Sequence, residues 1–179
     1  GIHKRVGGVR KGMGGLALGA APGSGSLAAA EDVGEQGKGL GLDLKTTDTS
    51  FPRNITFMQG DVFDLSPEFR ELRAQIGPFH VVMSDMAPST TGHRGTDQAR
   101  AAVLCEEALE LALARLIKGG SFVVKIFMGP DVKSFVDTMR KNFSLVKSFK
   151  PASSRSESFE SFYVALGYRG LPPPDPGDR

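Results

Sequence analysis

Residues 121–127 read SFVVKIF, Ser121 to Phe127. Phe122, Val123, Val124, Ile126 and Phe127 are apolar, and glycines bound the run at Gly119-Gly120 and Gly129. A short apolar run punctuated this way predicts a strand buried on both faces. Lys125 interrupts it. An ammonium is seldom taken out of water without a partner, because its desolvation is costly. The strand therefore decides the fold and raises the question of what faces its lysine.

Reading backwards, Asp97 to Ile117 forms the longest helical pattern. Ala101, Leu104, Cys105, Ala108, Leu111, Ala112 and Arg115 fall on one helical stripe, and Lys118-Gly119-Gly120 is expected to close it. Before that helix, FHVVMS (Phe79 to Ser84) predicts another strand. Ser66-Pro67-Glu68 opens a helix over SPEFRELRAQI. Further strands are expected at Gly15–Leu18, Gly39–Leu44 and Ile55–Gln59, with a helix at Ser24–Val33. After Lys125, a helix is expected from Asp131 to Asn142. Two strands, Ser144–Lys150 and Glu160–Tyr168, are too close together for a helical crossover and should pair antiparallel.

Alternating strands and helices predict an α/β fold, a mostly parallel sheet with helices on both faces. Ligands in such sheets bind at the carboxyl ends of the strands, near the switch point. That rule selects the loop Gly19–Ser26, Asp43, Asp61, Asp85 and Lys125. In the loop, Gly23-Ser24-Gly25-Ser26-Leu27-Ala28 fits G-x-G-x-x-A, a phosphate- or nucleoside-cradling form, and also fits a connecting turn. Asp43 is placed to take the hydroxyls of a ribose, Asp61 to take an adenine amino group; taken alone, Asp43 reads as a helix-cap or turn aspartate and Asp61 as a turn aspartate. Asp85, before Met86-Ala87-Pro88, is a catalytic carboxylate or a turn former. His80 and His93 lack partners at ligand spacing and read as structural or surface residues. There is no G-x-S-x-G elbow and no phosphate-binding P-loop.

Composition narrows the class. The 179 residues are 40% hydrophobic and 23% charged, ordinary for one soluble domain. No apolar run nears the roughly 18 residues of a membrane helix, and no signal-peptide pattern is present, so a cytoplasmic protein without a membrane partner is expected. The single cysteine, Cys105, excludes an internal disulfide and reads as a small core residue; no metal site is expected. Net charge is only +2, but Lys4, Arg5, Arg10 and Lys11 precede the first acidic residue, Glu31. Lys147, Lys150 and Arg155 form a second basic group. Such groups suit a phosphate-rich partner or a solvated surface. Residues 1–12 are a basic, Gly-rich segment expected to be incomplete, and the Pro-rich tail 171–179 is expected to be disordered.

Several stretches then fall into one pattern: LGAAPG, GLDL, FMQGD, SDMAPSTTG, GSFVVKIF and KPASSRSESFESFYV, in this order from Met13 to Gly170. The chain resembles the FtsJ/RrmJ family of ribosomal RNA ribose 2′-O-methyltransferases. The resemblance implies a Rossmann-like methyltransferase domain over 13–170, with S-adenosylmethionine as donor. It also implies a Lys-Asp-Lys-Glu tetrad, whose Asp matches Asp85, second Lys Lys125 and Glu Glu160. Cofactor-binding positions match Gly19, Gly23, Gly25, Asp43, Asp61 and Asp85. The implied partner is RNA, a uridine in the large ribosomal subunit, bound by a monomer. Three positions depart from the family pattern. Ala17 stands where an aspartate is usual, Gly25 where a tryptophan is usual, and the first tetrad lysine would fall upstream of Gly1. The rival readings are a nicotinamide-dependent oxidoreductase, which Gly23, Gly25, Ala28 and Asp43 permit, and a non-catalytic RNA-binding relative.

Overall fold

The strand announced by SFVVKIF is longer than the run itself. In the structure, a computed structural model describing residues 14–19, 37–45, 50–149 and 160–170, it spans Leu116–Phe127 and is the fifth strand in order. The described elements are β1 (Gly14–Leu18), β2 (Lys38–Asp43), β3 (Ile55–Gln59), α1 (Pro67–Ile76), β4 (Phe79–Ser84), α2 (Arg94–Arg115), β5 (Leu116–Phe127), α3 (Val132–Asn142), β6 (Phe143–Phe149) and β7 (Glu160–Tyr168). The expected helix Ser24–Val33, Gly23 and Gly25 lie outside the described residues. So do the basic positions 4, 5, 10, 11, 150 and 155, and the Pro-rich tail.

The strands form one sheet in the order β3-β2-β1-β4-β5-β7-β6. Pairs from β3 through β5 are parallel. β7 runs antiparallel to both neighbours, β5 and β6. The last two strands pair antiparallel, as their short separation requires. The sequence left open that β7 slots between β5 and β6, beside Lys125.

Alternation along each strand sorts the core. Leu16, Leu18, Leu40, Leu42, Val82, Phe122, Val124 and Ile126 face one side, where they pack against buried residues of α1, α2 and α3, including Phe69, Ala108, Leu111 and Met139. All three described helices thus cover the same face. On the opposite face a smaller cluster of Val81, Val123 and Val164 is also buried.

Local signals account for the helix ends. Ser66 caps α1, its hydroxyl accepting the Phe69 N–H at 3.1 Å, with Pro67 in the first turn. α2 begins earlier than Asp97: His93 caps it, Nδ1 accepting the Thr96 N–H at 3.2 Å. It also ends earlier, at Arg115. The expected cap Lys118-Gly119-Gly120 belongs instead to β5, because Leu116 is buried and pairs with Phe79. The ladder then shifts, so that Val81 meets Ser121, and the slack is absorbed at Gly119, whose φ of 86° favours glycine.

Candidate active site

The carboxyl edge of the sheet collects the ends of β1, β2, β3, β4 and β5, and there the sequence-selected residues meet their surroundings. Lys125 lies two residues before the end of β5. Its Nζ stands 2.8 Å from Asp85 Oδ1, just beyond β4, with the two side chains 12% and 32% exposed. The question raised by the strand has its answer: the lysine's partner comes from the neighbouring strand. The ammonium also sits over the Phe127 ring, 5.5 Å from its centroid, a distance at which a cation is drawn to the π face.

On the other flank, β7 runs against β5 so that Phe162 pairs with Lys125 and Glu160 pairs with Phe127. Glu160 therefore takes a register position diagonal to Lys125, within a strand pair whose diagonal neighbours lie about 7–8 Å apart. Lys125, Asp85 and Glu160, far apart in sequence, come from three adjacent strands.

Asp85 itself is fixed through its backbone. Its N–H donates to the Leu18 carbonyl at 2.9 Å, and the next residue along β1, Gly19, donates its N–H to Leu42 at 2.8 Å. The loop after Asp85 is fastened to the first turn of α2. Thr91 donates both its N–H and its hydroxyl to Asp97 Oδ1, each at 2.8 Å. These hydrogen bonds, the backbone one first, hold the Asp97 carboxyl below its usual range. The turn after β5 is tied to the same helix, with Gln98 donating its side-chain N–H to the Met128 carbonyl at 2.8 Å. Behind Lys125, the Cys105 thiol donates to its carbonyl at 3.4 Å, and burial pushes that thiol up to about 12. Cys105 is the small core residue expected of it, not a nucleophile.

Asp43 and Asp61 end up at the carboxyl ends of neighbouring strands. They close β2 and follow β3, which pair in parallel, and Gly60 N–H donates to the Asp43 carbonyl at 2.8 Å. Each carboxylate also shapes its own turn, Asp43 Oδ1 accepting from Lys45 N–H and Asp61 Oδ1 from Phe63 N–H, both at 2.9 Å. Leu44 and Phe63, just beyond them, are 65% and 51% exposed. The two histidines are structural: His93 caps α2, and His80 Nδ1 accepts the Gly14 N–H at 3.1 Å. Among the described residues no group of His, Cys, Asp and Glu could hold a metal ion. No described helix is long and apolar enough to cross a membrane.

Sequence reasoning passed over Phe127, although strand alternation puts residues 125 and 127 on one face and would have paired them. Gln98 carried no comparable signal, because its partner is a backbone carbonyl thirty residues away.

The arrangement matches a known family along nearly its whole length. The description FtsJ-like methyltransferase fits residues 1–168. The chain belongs to the FtsJ-like methyltransferase family. The Ribosomal RNA large subunit methyltransferase E of Oleidesulfovibrio alaskensis is 60% identical over 171 residues, covering 96% of this chain and 83% of that protein. The protein of the same name from Nitratidesulfovibrio vulgaris is 65% identical over 161 residues, covering 90% and 80%. Among solved structures, a Plasmodium falciparum chain described as a ribosomal RNA methyltransferase superposes with a TM-score of 0.78 at 21% identity, covering 95% of this chain and 94% of that one. The MycE methyltransferase of mycinamycin biosynthesis superposes at 0.58 and 16% identity, covering 97% and 51%. At those identities the likeness is one of fold, and it is the Rossmann-like methyltransferase fold. Membership in a methyltransferase family removes the nicotinamide-dependent oxidoreductase from consideration.

Proposed function

We propose that this FtsJ-like methyltransferase moves a methyl group from S-adenosylmethionine to a ribose 2′-hydroxyl of ribosomal RNA, at a uridine of the large subunit. The observation that carries the reading is the Lys125–Asp85 pair, 2.8 Å apart at the carboxyl edge, with Glu160 at the diagonal register position on β7. The relatives' printed name, a large-subunit ribosomal RNA methyltransferase, supports the substrate class. The protein is read as a cytoplasmic monomer acting on that subunit.

The donor fits the chemistry of β2 and β3. A ribose presents two hydroxyl donors and adenine an amino donor, which suits the carboxylates Asp43 and Asp61 at the ends of adjacent strands. The exposed apolar surfaces of Leu44 and Phe63, close in sequence to those carboxylates, suit the flat face of a base. Gly23 and Gly25 would line the methionine end of the donor, in the loop that Gly19 opens, with Asp85 beside it. When bound, the donor supplies a sulfonium methyl already activated towards an oxygen lone pair.

The protein's share is alignment and control of the hydroxyl. A ribose 2′-hydroxyl is a weak nucleophile, and holding it in line with the methyl can be worth several kcal/mol, on the order of 7–11 at best. Lys125, ion-paired with Asp85 and seated over Phe127, acts here as an ammonium. It donates to the acceptor oxygen and turns a lone pair towards the methyl. Asp85 and Phe127 prevent it from swinging away, and Glu160 supplies a second acceptor for the ammonium or the ribose. As the oxygen–carbon bond forms and the methyl–sulfur bond breaks, the hydroxyl proton passes to a carboxylate of the site or to water.

The test is transfer itself. Full-length protein is incubated with methyl-labelled S-adenosylmethionine and large ribosomal subunits lacking the modification, and the label is mapped by nuclease digestion. The expected product is a single 2′-O-methyluridine. Label on a base would contradict the acceptor assignment. Tight RNA binding without label would favour the non-catalytic relative instead.

A further inference from the structure

Gly19 is a candidate donor-binding glycine by its place in the loop, yet its surroundings point elsewhere. It follows β1, the strand between β2 and β4, and is stitched on both sides: its own N–H goes to Leu42, and Asp85 N–H goes to Leu18, the residue before it. Its φ is 78°, in the region that favours glycine. A Cβ at this position would stand 2.8 Å from both the carbonyl carbon and the carbonyl oxygen of Asp85, and 3.0 Å from Met86 N. These are backbone atoms, so no side-chain rotation relieves the overlap. The peptide joining Asp85 to Met86 lies directly over the missing side chain.

We infer that Gly19 is a positioning residue for Asp85, and through Asp85 for Lys125. The absent side chain lets the Asp85–Met86 peptide settle on the end of β1. That seat brings Asp85 Oδ1 to 2.8 Å from Lys125 Nζ. Any side chain at position 19 lifts the peptide, moves the carboxylate and releases the ammonium from its position at the acceptor. The same residue begins the loop expected to hold the donor, so donor site and acceptor-orienting pair share one backbone junction. The inference rests on the reading of Asp85 and Lys125 as the reacting pair.

Two substitutions separate this role from donor binding and from backbone strain. Gly19→Ala adds both a Cβ and strain at positive φ. Gly19→Asn adds the same Cβ but tolerates positive φ far better. Donor affinity is measured by calorimetry, and single-turnover methyl transfer to large subunits at saturating donor, in the full-length protein, with thermal unfolding as control. Both variants should lose transfer on the order of 10²-fold at saturating donor, the scale of an ångström-sized misplacement, with a much smaller change in donor Kd. A loss that disappears at saturating donor would overturn the inference and return Gly19 to the donor loop alone. Recovery in Gly19→Asn would overturn it in favour of strain. Should the variants not fold, hydrogen exchange of the wild-type Asp85 amide decides. Protection with and without donor supports a fixed seat, and free exchange contradicts it. Absence of transfer in the wild-type protein would instead sink the catalytic reading.

Discussion

A single lysine in an apolar strand can be read only so far from its neighbours in sequence. Lys125 was legible as a candidate because strand ends carry chemistry in this sheet type, and Asp85 because it ends the strand before. Their contact became visible only with the pairing of β4 and β5, which brings Ser84 opposite Val124. Asp97 illustrates the opposite case. It read as a helix-start residue, and it proves to be the acceptor that fastens the loop after Asp85, through Thr91. Those bonds to the charged form hold its carboxyl low. The unfolded chain, with an ordinary carboxylate value of about 4, binds that proton first on acidification. Asp97 therefore contributes stability that is complete above about pH 4 and is lost as the pH falls through its lower folded value. Asp97→Asn should be less stable than wild type at neutral pH, and the gap should narrow on acidification through that window. Urea midpoints measured across pH 2–7 check it, and a constant gap would contradict the assignment.

Elements were legible where local chemistry acts alone. Ser66 and Pro67 announce α1, and both sit where the cap requires them. The ends of α2 were misread because tertiary partners decide them: His93 caps it with a ring nitrogen, and Leu116 leaves the helix to pair with Phe79. A helix also leaves its last carbonyls without partners. One of these, Leu113, is met by the Tyr168 hydroxyl from β7 at 2.7 Å, and burial raises that phenol's pKa. Tyr168→Phe keeps the packing against Phe143 and removes this bond. The expected cost is about 1 kcal/mol, a fall in Tm of about 2–4 °C for a domain of this size, read by calorimetry. An unchanged Tm would show that the bond contributes nothing.

At the scale of the molecule, strand–helix alternation from β3 to α3 was enough to foresee a mostly parallel sheet. The strand order was not foreseeable in full. β7 could have added beyond β6, and nothing local in Glu160–Tyr168 says that it returns to lie beside β5. That return brings Glu160 to the neighbourhood of Lys125, and it gives three strands a share in the candidate site. The central claim is that this convergence exists to hold the Lys125 ammonium at the acceptor oxygen. The most direct measurement is single-turnover methyl transfer by Lys125→Ala at saturating S-adenosylmethionine, with donor affinity measured alongside. Lys125 stands apart from the Asp43–Asp61 end, so donor binding should survive while transfer falls by about 10²-fold or more, the scale of a lost group at the reacting atom. Transfer at the wild-type rate would contradict the account.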